Sequence, residues 1–198
     1  VPDPFTPLHS PETPVVGLDP SLTSTGLAIV TPVLGRPPHV LVQTIKTVGK
    51  AQAPWYERGL RISHIADKVG IAVPDGAMVV MESPAYAAAS TSGHDRSGLW
   101  WEMYGVLADK RCAIVTAAPQ QRMMYATGKG RADKDTVLAA TVRRYADIDV
   151  SGNDIADAVI FAAMGARLLG APIDGSMPAT HLRAMVRLEA EYTREMAA

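Results

Sequence analysis

Four acidic residues stand where their neighbours in the chain are apolar. Asp19 closes the run VVGLD (Val15 to Asp19), and Glu82 closes AMVVME (Ala77 to Glu82). A carboxylate ending a buried-type strand sits at the rim of a sheet, where ligands approach. A solvated strand end explains either residue taken alone. Asp154 and Asp157 open the segment NDIADAVIFA (Asn153 to Ala162), with Asn153 or Ser151 as the candidate cap. Three residues apart on a helix, they share nearly one face. Acids in a first turn also favour the helix dipole, which accounts for them without any function. That account does not cover the rest of the helix. Ala156, Ala158, Val159, Phe161, Ala162, Ala163 and Leu168 mark it as largely buried, so its acidic end faces inward or into a cleft.

Converging carboxylates are hard oxygen ligands and suit Mg²⁺, with Mn²⁺ expected to substitute. Four of them repel one another and raise some of their own pKa values unless cations intervene. Two ions about 4 Å apart would neutralise the cluster, one activating water and the other stabilising a leaving 3′ oxygen. Spacing alone does not establish that the four meet.

The elements that must bring them together can be read from periodicity. VVGL, GLAIV (Gly26 to Val30) and VLVQTI (Val40 to Ile45) are strands in succession, the first two joined by a turn through Pro20 and Ser21. Trp55 to Val73 has helical spacing at Leu60, Ile65, Val69 and Ala72, closed by Pro74 and Gly76. Ala77 to Glu82 and Ala113 to Ala117 are further strands, with a helix from Leu99 to Lys110 between them. Lys134 to Tyr145 and Asn153 to Leu169 are expected helices. Pro84 to Gly98, small, polar and glycine-bearing, reads as a long mobile loop of the functional kind. The order predicts an α/β fold with a mixed sheet. Residues 1–13, rich in proline, read as an extended lead-in, 14–172 as the functional domain, and 173–198 as a linker and C-terminal amphipathic helix.

A net charge of −1 over 198 residues does not advertise nucleic-acid binding, but the distribution is uneven. Lys110, Arg111, Arg122, Lys129, Arg131, Lys134, Arg143 and Arg144 meet only Asp133 and Asp135 in their stretch, and acids dominate from Tyr145 onward. Such a division suits a protein that attracts phosphate and holds metal, or merely two solvated faces of opposite sign. No apolar run reaches the roughly 20 residues of a membrane span. Cys112, the only cysteine, lies in apolar CAIVTAA and reads as a structural thiol, which fits a cytoplasmic compartment. The five histidines lack ligand spacing, and none is assigned to metal.

The string GLDPSLTSTGLAIV (Gly17 to Val30) resembles the first signature of RuvC-type Holliday junction resolvases. MESPAY (Met81 to Tyr86), TGKGRADKDTV (Thr127 to Val137) and NDIADAVIFA resemble the later motifs, in the same order, over about residues 14 to 170. The stretch ATGKGRADK is similar to phage-encoded members in particular, for which the compartment would be the host cytoplasm. The resemblance implies an RNase H-like fold with a central mixed five-stranded sheet flanked by helices, plus the C-terminal helix. It also implies a homodimer that binds branched DNA, four-way junctions above all, and makes paired nicks with 5′-phosphate and 3′-hydroxyl ends. By matched position it makes Asp19, Glu82, Asp154 and Asp157 the catalytic metal ligands and Lys134 the lysine at the scissile phosphate. Arg122 falls on or near a second basic position, and Tyr86 near an aromatic that wedges into the junction, unless it is an ordinary packed loop residue.

Lys129 and Arg131 lie in the glycine turn, where phosphate can approach closely; a solvated basic loop is the other reading. Trp100, Trp101, Met103, Tyr104 and Leu107 give the Leu99 to Lys110 helix more large apolar surface than one buried face needs. Trp100, Trp101 and Tyr104 are therefore candidates for a subunit interface, with a wholly buried helix as the alternative. A broader flap-and-fork nuclease and a non-catalytic junction-binding protein are the competing functions. A scaffold has no need of four mutually repelling acids. An actin-like ATPase or sugar kinase, which needs two such domains, is not expected.

Overall fold

The computed structural model describes residues 10–84 and 93–197. Its strands are β1 (Val15–Asp19), β2 (Ser24–Val33), β3 (Arg36–Lys46), β4 (Met78–Glu82) and β5 (Ala113–Ala117). Its helices are α1 (Trp55–Ala72), α2 (Gly93–Asp109), α3 (Pro119–Thr127), α4 (Lys134–Arg144), α5 (Asn153–Leu168) and α6 (Ala179–Met196). The strands form one five-stranded sheet in the order β3-β2-β1-β4-β5. β1 and β3 run antiparallel to β2, whereas β1, β4 and β5 are parallel to one another.

Period-two alternation divides the apolar residues between two helical layers. Val15 of β1 and Met78 and Val80 of β4 face a core shared with α3, α4, α5 and α6. Val16, Leu18, Val79 and Met81 face the opposite core, closed by α1 and α2. The same parity turns Asp19 and Glu82 toward the α5 layer. Because β1 and β4 are parallel, both acids also lie at the same end of the sheet.

α5 packs across β1 and β2, buried from Ile155 to Ala166. Two glycines permit the close approach. A Cβ on Gly17 would fall 2.0 Å from the Ala158 carbonyl oxygen, and one on Gly26 2.0 Å from that of Asp154. Both obstacles are backbone and cannot swing aside. Gly26 is paired with Asp19 across the β1–β2 ladder, so the helix start is held directly over the end of β1.

Three elements differ from expectation. α2 begins at Gly93, inside the stretch read as a loop, because Asp95 is anchored by Arg58 of α1. The Arg58 Nε donates to Asp95 Oδ2 at 2.8 Å, and its guanidinium lies 4.2 Å from the Trp55 ring centroid. α3 had no apolar stripe to announce it. It is started by Pro119 and by Gln121, whose side chain accepts from the Ala118 N–H at 2.9 Å, and Gly128 closes it in the left-handed conformation. α5 is capped by Gly152 rather than by Asn153 or Ser151.

The C-terminal helix docks on its own body, against α3 and β5. Ala184, Met185 and Leu188 are its buried stripe. The segment leading to it is pinned by Asp174, whose buried carboxylate accepts from the Tyr125 and Tyr145 hydroxyls at 2.7 and 3.0 Å and pairs with Arg167. Among the described residues no helix is long and apolar enough to cross a membrane.

Candidate active site

At the carboxyl ends of β1 and β4 the surface opens into a cleft of about 540 Å³, lined in part by Asp19, Glu82, Asp154, Asp157, Arg122 and Lys134. All four acids singled out from the sequence therefore share one cleft. They come from three elements: Asp19 from β1, Glu82 from β4, and Asp154 and Asp157 from the first turns of α5. The two basic residues come from α3 and from the start of α4.

The cluster is short of positive charge. Burial pushes the Asp19 carboxyl up to about 8, with further upward pressure from the Glu82 and Asp157 charges. Burial also raises Asp157 to about 6, against the lowering pull of Arg122. Glu82 is raised as well, first by burial, while Arg122 and Lys134 oppose the shift. Arg122 is the cation in closest contact. Its Nη1 lies 2.8 Å from Glu82 Oε2 and 2.6 Å from Asp157 Oδ2.

Several holding contacts left no sequence signature. The Ser24 hydroxyl, at the start of β2, donates to Asp154 Oδ2. The Trp100 indole N–H donates to the backbone carbonyl of Glu82 at 2.9 Å, tying α2 to the end of β4. Arg61 bonds Thr47 Oγ1 at 3.0 Å and the Leu22 carbonyl, bracing the cleft wall opposite α5. A serine, a tryptophan and an arginine at unremarkable spacings become visible as partners only once the chain is folded.

The remaining candidates separate. Lys134 is the first residue of α4, behind the Asp133 cap, whose carboxylate accepts from the Thr136 N–H at 2.7 Å. It is exposed and lines the cleft. Lys129 and Arg131 are exposed but do not line it; Lys129 borders a separate basic hollow with Arg143, Arg144 and His181. Trp100 is only 7% exposed and Tyr104 is half-buried, stacked on it at 5.4 Å, whereas Trp101 is 65% exposed. The surplus apolar surface of α2 thus reduces largely to Trp101. Tyr86 lies outside the described residues. Cys112 is half-buried with its thiol pushed up by burial, as expected of a structural rather than a nucleophilic cysteine.

The donor chemistry suits a hard divalent cation, since every candidate ligand is a carboxylate oxygen. As placed, no three acid, histidine or cysteine side chains among the described residues could hold one ion in common. Arg122 engages two of the four acids instead.

No protein-family model matches the chain, and its sequence has no match among curated proteins. Solved structures do match. The fold is similar to that of RuvC from Thermus thermophilus, at TM-score 0.59 and 18% identity over 80% of this chain and 98% of that one. The fold is RuvC-like. The T. thermophilus RuvC structure in complex with Holliday junction substrate gives TM-score 0.57 at 19% identity, covering 76% and 90% of the two chains. The yeast mitochondrial Holliday junction resolvase gives 0.52 at 11% identity, covering 95% and 85%. A mixed five-stranded sheet flanked by helices on both faces is accordingly an RNase H-like α/β fold.

Proposed function

We propose that this protein is a metal-dependent, structure-selective DNA endonuclease that resolves four-way junctions. The observation that carries the reading is the convergence of four carboxylates from three elements in one cleft, with Lys134 and Arg122 beside them. A fold without catalysis has little reason to bury mutually repelling acids. The RuvC-like fold supports junction DNA as the substrate, since one of the similar structures is a Holliday junction resolvase by name and another is a RuvC in complex with Holliday junction substrate.

Asp19, Glu82, Asp154 and Asp157 would hold two Mg²⁺ or Mn²⁺ ions. When bound, these supply an activated water and charge stabilisation at the leaving 3′ oxygen. The chain's own residues do the rest. Ser24 fixes the Asp154 carboxylate, the Trp100 indole fixes the backbone at Glu82, and the glycine-mediated docking of α5 sets Asp157 against β1. Lys134, exposed at the cleft, would meet the scissile phosphate and stabilise charge that grows there in the transition state. Lys129, Arg131 and Tyr86 are assigned to flanking DNA, and Trp101, with Tyr104 and Trp100 behind it, to contact with a second subunit.

The test is cleavage of labelled four-way, forked, flapped and linear DNAs with Mg²⁺, with Asp157→Asn as control. Symmetric nicks in the four-way substrate with 5′-phosphate ends are expected. Equal rates on flaps and junctions would replace resolution with a broader branched-DNA activity, and no cleavage of any substrate would overturn the reading.

A further inference from the structure

Arg122 reaches from α3 into the middle of the acid cluster, and the way it is held is unusual for a permanent structural ion pair. Its side chain is 12% exposed, with the guanidinium carbon 5.9 Å from the centroid of the Phe161 ring. A guanidinium paired with a carboxylate frequently forks two nitrogens onto it. Here one nitrogen serves two acids, Glu82 and Asp157, while the buried Nε has no acceptor among the described residues. An unmet buried donor costs free energy. The arrangement places positive charge between two acids without satisfying the group that carries it. Glu82 and Asp157 are two of the acids that would hold a divalent ion, so Arg122 engages carboxylate oxygens that the ion would need.

We propose that Arg122 is a resident counter-ion that competes with the divalent cation for Glu82 and Asp157. It holds the two acids together while the site lacks metal and gives them up when an ion binds. The inference rests on the reading of the four acids as a metal site. It makes Arg122 a positioning residue that sets the metal affinity and the stability of the metal-free protein in opposite directions. Removing it leaves the acids unpaired without metal, and leaves the ion without a competitor when metal is present.

The experiment needs neither DNA nor turnover. Mn²⁺ binding is measured by calorimetric titration, and thermal unfolding is followed in chelator and in Mn²⁺, for wild type, Arg122→Gln, Arg122→Lys and Asp157→Asn. In chelator Arg122→Gln is expected to melt below wild type. It should bind Mn²⁺ about tenfold tighter, because charge-assisted bonds no longer have to be broken. Its Tm gain on adding metal should exceed that of wild type. Arg122→Lys keeps the charge but not the planar fork and should fall between the two. Mn²⁺ affinity in Arg122→Gln equal to or weaker than wild type overturns the proposal. If that variant does not fold, the same comparison on Arg122→Lys decides. Binding that is lost in Asp157→Asn but indifferent to Arg122 sinks this inference and leaves the metal site standing. Absence of Mn²⁺ binding in every protein, wild type included, removes both.

Discussion

At the level of single residues, the acids and the lysine should fail in different ways. If the acids hold metal as proposed, Asp19→Asn, Glu82→Gln and Asp157→Asn would remove ligands rather than phosphate contacts, so each should abolish cutting while leaving junction binding largely intact in gel-shift assays. Lys134→Ala should slow the single-turnover rate more than it weakens binding, since lysine at the phosphate acts mainly on transition-state charge. Arg131→Ala, outside the cleft, should weaken binding to all DNA structures and reduce the salt slope by about one unit. Equal losses of affinity in Lys134→Ala and Arg131→Ala, with normal rates in both, would reverse these assignments. The cluster also fixes a pH dependence. Asp19 is raised to about 8 and Asp157 to about 6, both first by burial. An unfolded aspartate titrates near about 3.9, so between these values the folded state binds more protons than the unfolded one. The metal-free protein is therefore most favoured below about pH 4 as far as these groups are concerned, and loses that contribution as pH rises through about 6 and then about 8. Tm in chelator should fall from about pH 5 to about pH 8.5, and the Tm gained by adding Mg²⁺ should grow over the same range. A metal-free Tm that rises with pH over that window would contradict the burial of uncompensated acid.

The elements show what the chain declares openly and what it conceals. β1, β4 and α5 were legible because their apolar periodicity runs directly into the acids, and the parallel pairing of β1 with β4 then follows from an α/β order. α3 was not legible, although it carries Arg122, because its residues are mixed and its start depends on one proline and one glutamine side chain. The first turn of α2 was hidden for a related reason: Asp95 is helical only because Arg58, 37 residues earlier, reaches it. The glycines Gly17 and Gly26 were visible as part of a motif, but their purpose is a close backbone approach that only the packed helix reveals. That purpose predicts a contrast. Gly26→Ala puts a methyl 2.0 Å from the Asp154 carbonyl oxygen, and the helix must move. Overpacking of this kind costs about 1–3 kcal/mol, and cleavage should be lost with every acid still present. Gly59→Ala, at an exposed helical position with nothing within 4 Å of the added methyl, should instead stabilise the protein by about 0.5–1 kcal/mol. Urea unfolding of the two variants measures both effects. If Gly26→Ala leaves stability and cutting unchanged, the docking of α5 does not set the site.

For the whole molecule, the described residues of one chain form an acidic cleft that would meet one strand at a time, and resolving a four-way junction requires cuts in two strands. A two-fold dimer meets that need, because its paired clefts face strands related by the same symmetry. A subunit contact, which the proposed pairing of cuts calls for, is the feature least legible in the sequence, since an aromatic helix reads alike whether it is packed inward or against a partner. Folding separates the two: Trp100 is 7% exposed and engaged at Glu82, whereas Trp101 is 65% exposed. On α1, which packs beside α2, Tyr56, Leu60 and Ile71 are also exposed, at 75%, 53% and 80%. A charge introduced at Trp101 should therefore disturb a partner without disturbing the fold. Trp101→Glu is expected to sediment as a monomer at micromolar concentration while keeping a wild-type Tm in chelator. On a supercoiled cruciform plasmid wild type, acting as the proposed dimer, should make its second nick before dissociating and yield mainly linear product. The monomeric variant should accumulate nicked circles, because each encounter delivers one cut. If Trp101→Glu remains dimeric and still linearises the cruciform, the interface lies elsewhere. If wild type itself is monomeric and accumulates nicked circles under enzyme excess, the paired-cut reading fails, although the carboxylate chemistry within each cleft would be untouched.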